Sequence, residues 1–150
     1  EQYREQGSTI VLISHDMNFL RHLVDSYTII YAGFDVEHIP DNNISEIKHL
    51  HPYTEKLLSI ASKEDEEFDY IEKDVPDPYR DNQSGCPFAP RCEKKNEIPV
   101  SNNNHICEEL LPPLIDPLTG ARIDTGKDGS LVDNHLVRCW LYLRNDIEKK

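Results

Sequence analysis

Four cysteines occur in these 150 residues, and all lie from residue 86 onward: Cys86, Cys92, Cys107 and Cys139. The gaps between them are five, fourteen and thirty-one residues. This is not the CxxC pairing of a zinc ribbon. Three chemistries compete. Inert buried thiols are disfavoured because the neighbouring sequence is polar and rich in proline. Two disulfides would need an oxidising compartment. A four-thiolate site for zinc or an iron–sulfur cluster fits best, and the residue types suit either. Arg91, beside Cys92, is placed to offset the negative charge of such a site. Metal binding there would supply folding free energy on the order of 10 kcal/mol. The second candidate is His15, directly after a short apolar run. A neutral imidazole both donates and accepts, so at the end of a strand it can bond a nucleotide's terminal phosphate or an attacking water. A capping or buried histidine is the plainer alternative.

The elements that must hold these residues read as follows. Glu1 to Gln6 resembles the last turns of a helix with Gly7 as its C-cap, so the sequence is expected to be a piece of a longer one. Ser8-Thr9-Ile10-Val11-Leu12-Ile13 reads as a strand of a parallel sheet, buried on both faces. Ser14 or Asp16 can cap a helix that carries Met17, Leu20 and Val24 on one face. Tyr27 to Tyr31 and Phe34 to His38 read as a hairpin turning at Ala32-Gly33, with Asp35 and Glu37 on a solvated face. Ile44, Ile47 and Leu50 suit a short helix. Pro52 opens another, with Tyr53, Leu57, Leu58 and Ala61 as its stripe. Of His49 and His51, one at a helix start is read as a polar cap. Trp140 and Tyr142 are read as local packing.

Residues 63–84 read as a linker. Lys63 to Asp77 holds eight acids and two lysines, a net of −6, and runs into Val75-Pro76-Asp77-Pro78-Tyr79. From Gly85 on, neither helix nor strand is strongly signalled, so this tail is expected to need a metal to hold one shape. The formal net charge of −12 excludes direct nucleic-acid binding as a main role. No apolar run approaches the roughly 20 residues of a membrane span. No signal peptide is recognised, so the expected compartment is the cytosol.

Specific residues then carry a resemblance. Thr9 to Asp16, with Ile-Val-Leu-Ile-Ser-His-Asp, resembles the switch-histidine segment of ABC-transporter ATPases. Tyr31-Ala32-Gly33 followed by Glu37 resembles the strand turn that comes next in them. His51-Pro52-Tyr53-Thr54 and Gly85-Cys86-Pro87-Phe88-Ala89-Pro90-Arg91-Cys92 narrow the likeness to the ATP-binding subunits of oligopeptide and dipeptide ABC importers. Ile106-Cys107, Pro112-Pro113-Leu114 and His135-Leu136-Val137-Arg138-Cys139 complete it. The resemblance implies an α/β fold: the C-terminal piece of a P-loop-type ABC ATPase domain over 1–62, the linker over 63–84, and a small irregular cysteine-rich, metal-stapled tail over 85–150. It implies that His15 contacts the ATP γ-phosphate as catalytic and cofactor-binding residue. It implies that Cys86, Cys92, Cys107 and Cys139 are ligands of a [4Fe-4S] cluster, with zinc as the alternative. The intact subunit would use ATP and magnesium. It would pair with a second ATPase subunit and two transmembrane permease subunits at the inner face of the cell membrane, and drive peptide uptake.

Departures qualify the likeness. The third cysteine usually falls near Pro99, so an insertion including Ser101 to Asn104 is needed to bring Cys107 into register. Phe34 replaces a basic residue and Ile39 a glycine. No Gly-x-x-x-x-Gly-Lys-Ser/Thr loop occurs in the sequence, and the signature and magnesium-binding motifs are missing too. These residues alone are therefore expected neither to bind ATP tightly nor to hydrolyse it. A metal-stapled docking module without catalysis is the alternative function, and a stand-alone redox protein a weaker third.

Overall fold

The computed structural model describes residues 2–41, 43–62, 84–98, 105–123 and 134–144. The expected linker lies almost wholly outside them, as does the Ser101–Asn104 run. The expected helix end is α1, Gln2–Glu5, followed by Gly7 at φ 76°. Asp16 caps α2, Met17–Leu20, its carboxylate accepting the Phe19 N–H at 3.0 Å, and Met17 and Leu20 are buried.

The hairpin forms as expected. β1 (Tyr27–Tyr31) pairs antiparallel with β2 (Phe34–Ile39), with a register shift between Ile29 and Ile30. Both turn residues have positive φ, 47° at Ala32 and 82° at Gly33, which matches the right-handed twist of the strands. A single 3₁₀ turn over Ile44–Glu46 replaces the expected short helix. His51 caps α3, Pro52–Ala61, accepting the Tyr53 N–H on its ring. In the tail, α4 (Ile106–Glu109) and β3 (Leu136–Val137) are short, and β3 adds to β2 to give a three-stranded antiparallel sheet in the order β1-β2-β3. The result is a small α/β unit.

Two expectations are corrected. Ser8 to Ile13 forms no strand: Val11 is 80% and Ile13 97% exposed. A parallel strand is held by neighbours on both sides, and among the described residues none pairs with it. Glu37 is not on a solvated face: it is 1% exposed. The register shift leaves Val36 as an extra residue on β2 and sets Glu37 opposite Ile29, on the buried face of β1, so Val36 and Glu37 are both buried.

Two clusters form the core. One gathers Tyr27, Ile29, Tyr31, Val36, Ile39 and Ile44 under α2 and α3, and it includes Phe88 from the tail. The other belongs to the tail: Ala89, Cys107, Ile115, Trp140 and Leu143. Trp140 and Tyr142 reach beyond local packing. Trp140 donates to the Leu110 carbonyl at 3.0 Å and Tyr142 to the Leu50 carbonyl at 2.6 Å. Arg138 joins the tail to β2 through two bonds to the Asp35 carboxylate, at 2.9 and 3.1 Å.

Candidate metal centre

Cys86 and Cys92 stand at the two ends of one tight turn. Ala89 N–H donates to the Cys86 carbonyl at 3.0 Å, a 3₁₀ turn follows over Ala89–Arg91, and Cys92 N–H closes it onto Ala89 at 3.3 Å. Proline at 87 and 90 limits the backbone there to few conformations. The turn is anchored to α4 by the Cys86 N–H, which donates to the Cys107 carbonyl at 2.7 Å. This approach requires Gly85, where a Cβ would lie 2.3 Å from the Cys107 oxygen. Cys139 follows β3 directly. The structure thus brings the four cysteines from three separate segments to the wall of one cavity, which His51, Lys94 and Lys95 also line.

All four thiols are free. Burial pushes each of them up. Cys86 is raised to about 11 against the pull of the Phe88 N–H, with Cys92 pushing the other way. Cys107 is raised to about 12 by burial and then by the neighbouring Cys86 and Cys92. Cys139 is driven well above the ordinary thiol range by burial, opposed by the Leu141 N–H. Cys92 is raised by burial, opposed first by the Lys94 N–H and then by the Lys94 charge. The group therefore repels ionisation collectively, and a bound cation is what would turn these thiols into thiolates. The Phe88, Lys94 and Leu141 backbone N–H groups oppose part of that rise at Cys86, Cys92 and Cys139. Among the described residues, no group of three or more His, Cys, Asp or Glu is arranged to hold a metal ion. The sulfurs surround a space; they do not converge on one point.

The other candidates fall differently. His15 is exposed and does not line this cavity. Arg91 does not line it either: its guanidinium donates to the Tyr31 hydroxyl at 3.2 Å, and the cations at the cavity are Lys94 and Lys95. Lys94 pairs with Glu55 and Lys95 with Glu108.

Two residues matter more than the sequence reading allowed. Glu37 accepts the His51 backbone N–H on both carboxylate oxygens, at 3.2 Å each, and lies 2.7 Å from His135 Nε2. His51 is 1% exposed, and burial lowers its ring to about 3, so it is neutral. Its helix-capping role was legible from Pro52. Its place at the cysteine cavity was not, because Cys86 and Cys139 come much later in the chain.

A small α/β unit with a four-cysteine cavity is thus the class that fold and site define. Residues 36–98 match the family described as the oligopeptide/dipeptide transporter, C-terminal region. The segment holds Glu37, His51-Pro52-Tyr53 and the Cys86–Cys92 turn. A Brucella melitensis protein named among peptide import ATP-binding proteins is 41% identical over 91 residues. The oligopeptide transport ATP-binding protein AppD of Bacillus subtilis is 38% identical over 92 residues. OppF of Salmonella typhimurium, an oligopeptide transport ATP-binding protein, is 32% identical over 97. Each alignment covers 59% of this chain and 27% or 28% of the relative. No solved structure matches significantly. Over residues 36–98 the chain is thus similar to the C-terminal region of oligopeptide/dipeptide transporter proteins, and it spans little more than a quarter of those relatives' length. No helix among the described residues is long and apolar enough to cross a membrane.

Proposed function

We propose that this chain is the carboxyl-terminal part of the ATP-binding subunit of an oligopeptide or dipeptide ABC importer. The observation that carries this reading is the family match over residues 36–98, which spans both the His-Pro-Tyr start of α3 and the first cysteine pair. In the complete subunit, ATP and magnesium would be held by parts outside these residues, and His15 would reach the γ-phosphate. The exposed run Ile10 to Ile13 supports that assignment: it carries the apolar residues of a parallel strand and has no partner among the described residues. The complex would include a second ATPase subunit and two permease subunits at the inner face of the membrane, and would carry peptide. The division into 1–62, 63–84 and 85–150 belongs to the same reading. Taken alone, these residues are expected to show no magnesium-dependent ATP hydrolysis above a buffer blank. Turnover by the isolated chain would overturn the assignment.

The second part of the proposal is that Cys86, Cys92, Cys107 and Cys139 hold a [4Fe-4S] cluster. The donor set supports this reading: four desolvated thiols line one cavity. A zinc ion would need all four sulfurs about 2.3 Å from a single point, and they are not so arranged. A cluster could be held by thiolates that stand further apart than the ligands of one ion. When bound, such a group supplies a one-electron couple and a strong cross-link between the Cys86–Cys92 turn, α4 and the segment after β3. The chain's own residues position it: Gly85 lets the turn reach α4, and Lys94 and Lys95 offset its negative charge. Protein purified under nitrogen is expected to be brown, with about four irons per chain. A colourless protein carrying one zinc would replace the cluster with a zinc site.

A further inference from the structure

Three buried side-chain atoms among the described residues lack a hydrogen-bond partner: His51 Nε2, Thr54 Oγ1 and Arg91 Nε. Of these residues, only His51 lines the cysteine cavity. Its ring is held at Nδ1 and against Phe88. The backbone N–H of His51 is held by Glu37, and Nδ1 accepts the Tyr53 N–H at 3.1 Å. Phe88 packs against the ring with centroids 5.9 Å apart. Because Nδ1 is used as an acceptor, it carries no hydrogen, and the ring proton sits on Nε2. A buried N–H donor without an acceptor costs about 1–3 kcal/mol. The fold retains that cost at the wall of a cavity whose other polar features are the four cysteines and two lysines.

We propose that His51 Nε2–H is a hydrogen-bond donor to a sulfur of the group held by Cys86, Cys92, Cys107 and Cys139, and so sets that group's reduction potential. This rests on the four-cysteine cluster reading above. The chemistry is general. Reduction adds negative charge, which spreads over the sulfurs, and a donor to sulfur stabilises the reduced form more than the oxidised one. His51 lines the same space from the loop that joins β2 to α3. It therefore couples the electronic state of the cavity to the Glu37–His135 contact, since Glu37 holds the same histidine by its backbone. His51 is a tuning residue; it is not a ligand.

The test uses the protein purified anaerobically and titrated with dithionite. In His51→Asn the new side chain still caps α3, because asparagine is a strong N-cap residue. It is too short to place a donor where Nε2 lies. The expected result is an iron content equal to the parent and a midpoint potential lowered by about 59 mV, corresponding to a tenfold change in the one-electron equilibrium. The parent labelled with ¹⁵N-histidine gives a second measurement that needs no substitution. In its reduced state, pulsed electron paramagnetic resonance is expected to show a weak coupling to one imidazole nitrogen, and His51 is the one histidine lining the cavity. A brown parent without that coupling, or a brown variant at the parent's potential, overturns this inference and leaves the four-cysteine site standing. A folded parent that takes up no iron overturns the cluster reading and this inference with it.

Discussion

Replacing Glu37 with leucine is expected to destabilise the protein by about 3 kcal/mol, because the buried His51 N–H and the half-buried His135 ring lose their acceptor at once. Glu37 is 1% exposed. Its carboxylate takes the His51 N–H at 3.2 Å and the His135 ring at 2.7 Å. These partners come from opposite directions: His51 opens α3, and His135 precedes β3. Leucine fills similar space but leaves the His51 N–H buried with nothing to bond and the half-buried His135 ring without its carboxylate. Glu37→Gln separates the two contributions. It keeps one amide oxygen of nearly the same reach, so it is expected to cost only about 1 kcal/mol, in line with one weakened hydrogen bond. Urea unfolding measures both, with the midpoint shifting while the slope stays constant. Because Glu37 fixes the backbone of His51, the leucine variant is also expected to retain less iron than the glutamine variant. Equal stabilities for leucine and glutamine would show that Glu37 does not join the tail to the hairpin.

The sequence made local features legible and distant pairings illegible. The Asp16 cap, the Ala32-Gly33 turn and the Pro52 helix start depend on residues within four positions of one another, and all three appear where expected. Glu37 was misread because strand alternation says only which residues share a face. It cannot say that a register shift at Val36 will set Glu37 opposite the buried Ile29. The reverse error affects Ser8 to Ile13. Its apolar residues fit a buried strand, yet burial needs neighbours, and the described residues provide none. His51 was readable as a cap from Pro52, whereas its second ring nitrogen gains meaning only beside cysteines 35 to 88 positions away. The grouping of the cysteines was legible for a different reason: a lean, proline-rich segment with four thiols has few other ways to hold a shape.

Gly85→Ala is the sharpest test of how that grouping is built. A Cβ at this position would lie 2.3 Å from the Cys107 carbonyl oxygen and 2.5 Å from the carbonyl carbon and oxygen of Glu108. All three are backbone atoms of α4, so no side-chain rotation relieves the clash. The turn and the helix must separate, and the first bond lost is that from Cys86 N–H to the Cys107 carbonyl, now 2.7 Å. Overpacking of this kind costs about 1–3 kcal/mol, and the upper end is expected here because the clash is with main chain. The consequence for the site exceeds the loss in stability. Moving α4 carries Cys107 away from Cys86, and a cluster that bonds both thiolates tolerates little change in their separation. Iron per chain is therefore expected to fall sharply in Gly85→Ala even at temperatures where circular dichroism shows a folded protein. Ser84→Ala is the neighbouring control. Its hydroxyl makes one exposed 3.3 Å bond to the Glu108 carbonyl, so its loss is expected to stay within about 0.5 kcal/mol with iron unchanged. If Gly85→Ala binds iron as fully as Ser84→Ala, then the close approach of the turn to α4 does not set the spacing of Cys86 and Cys107.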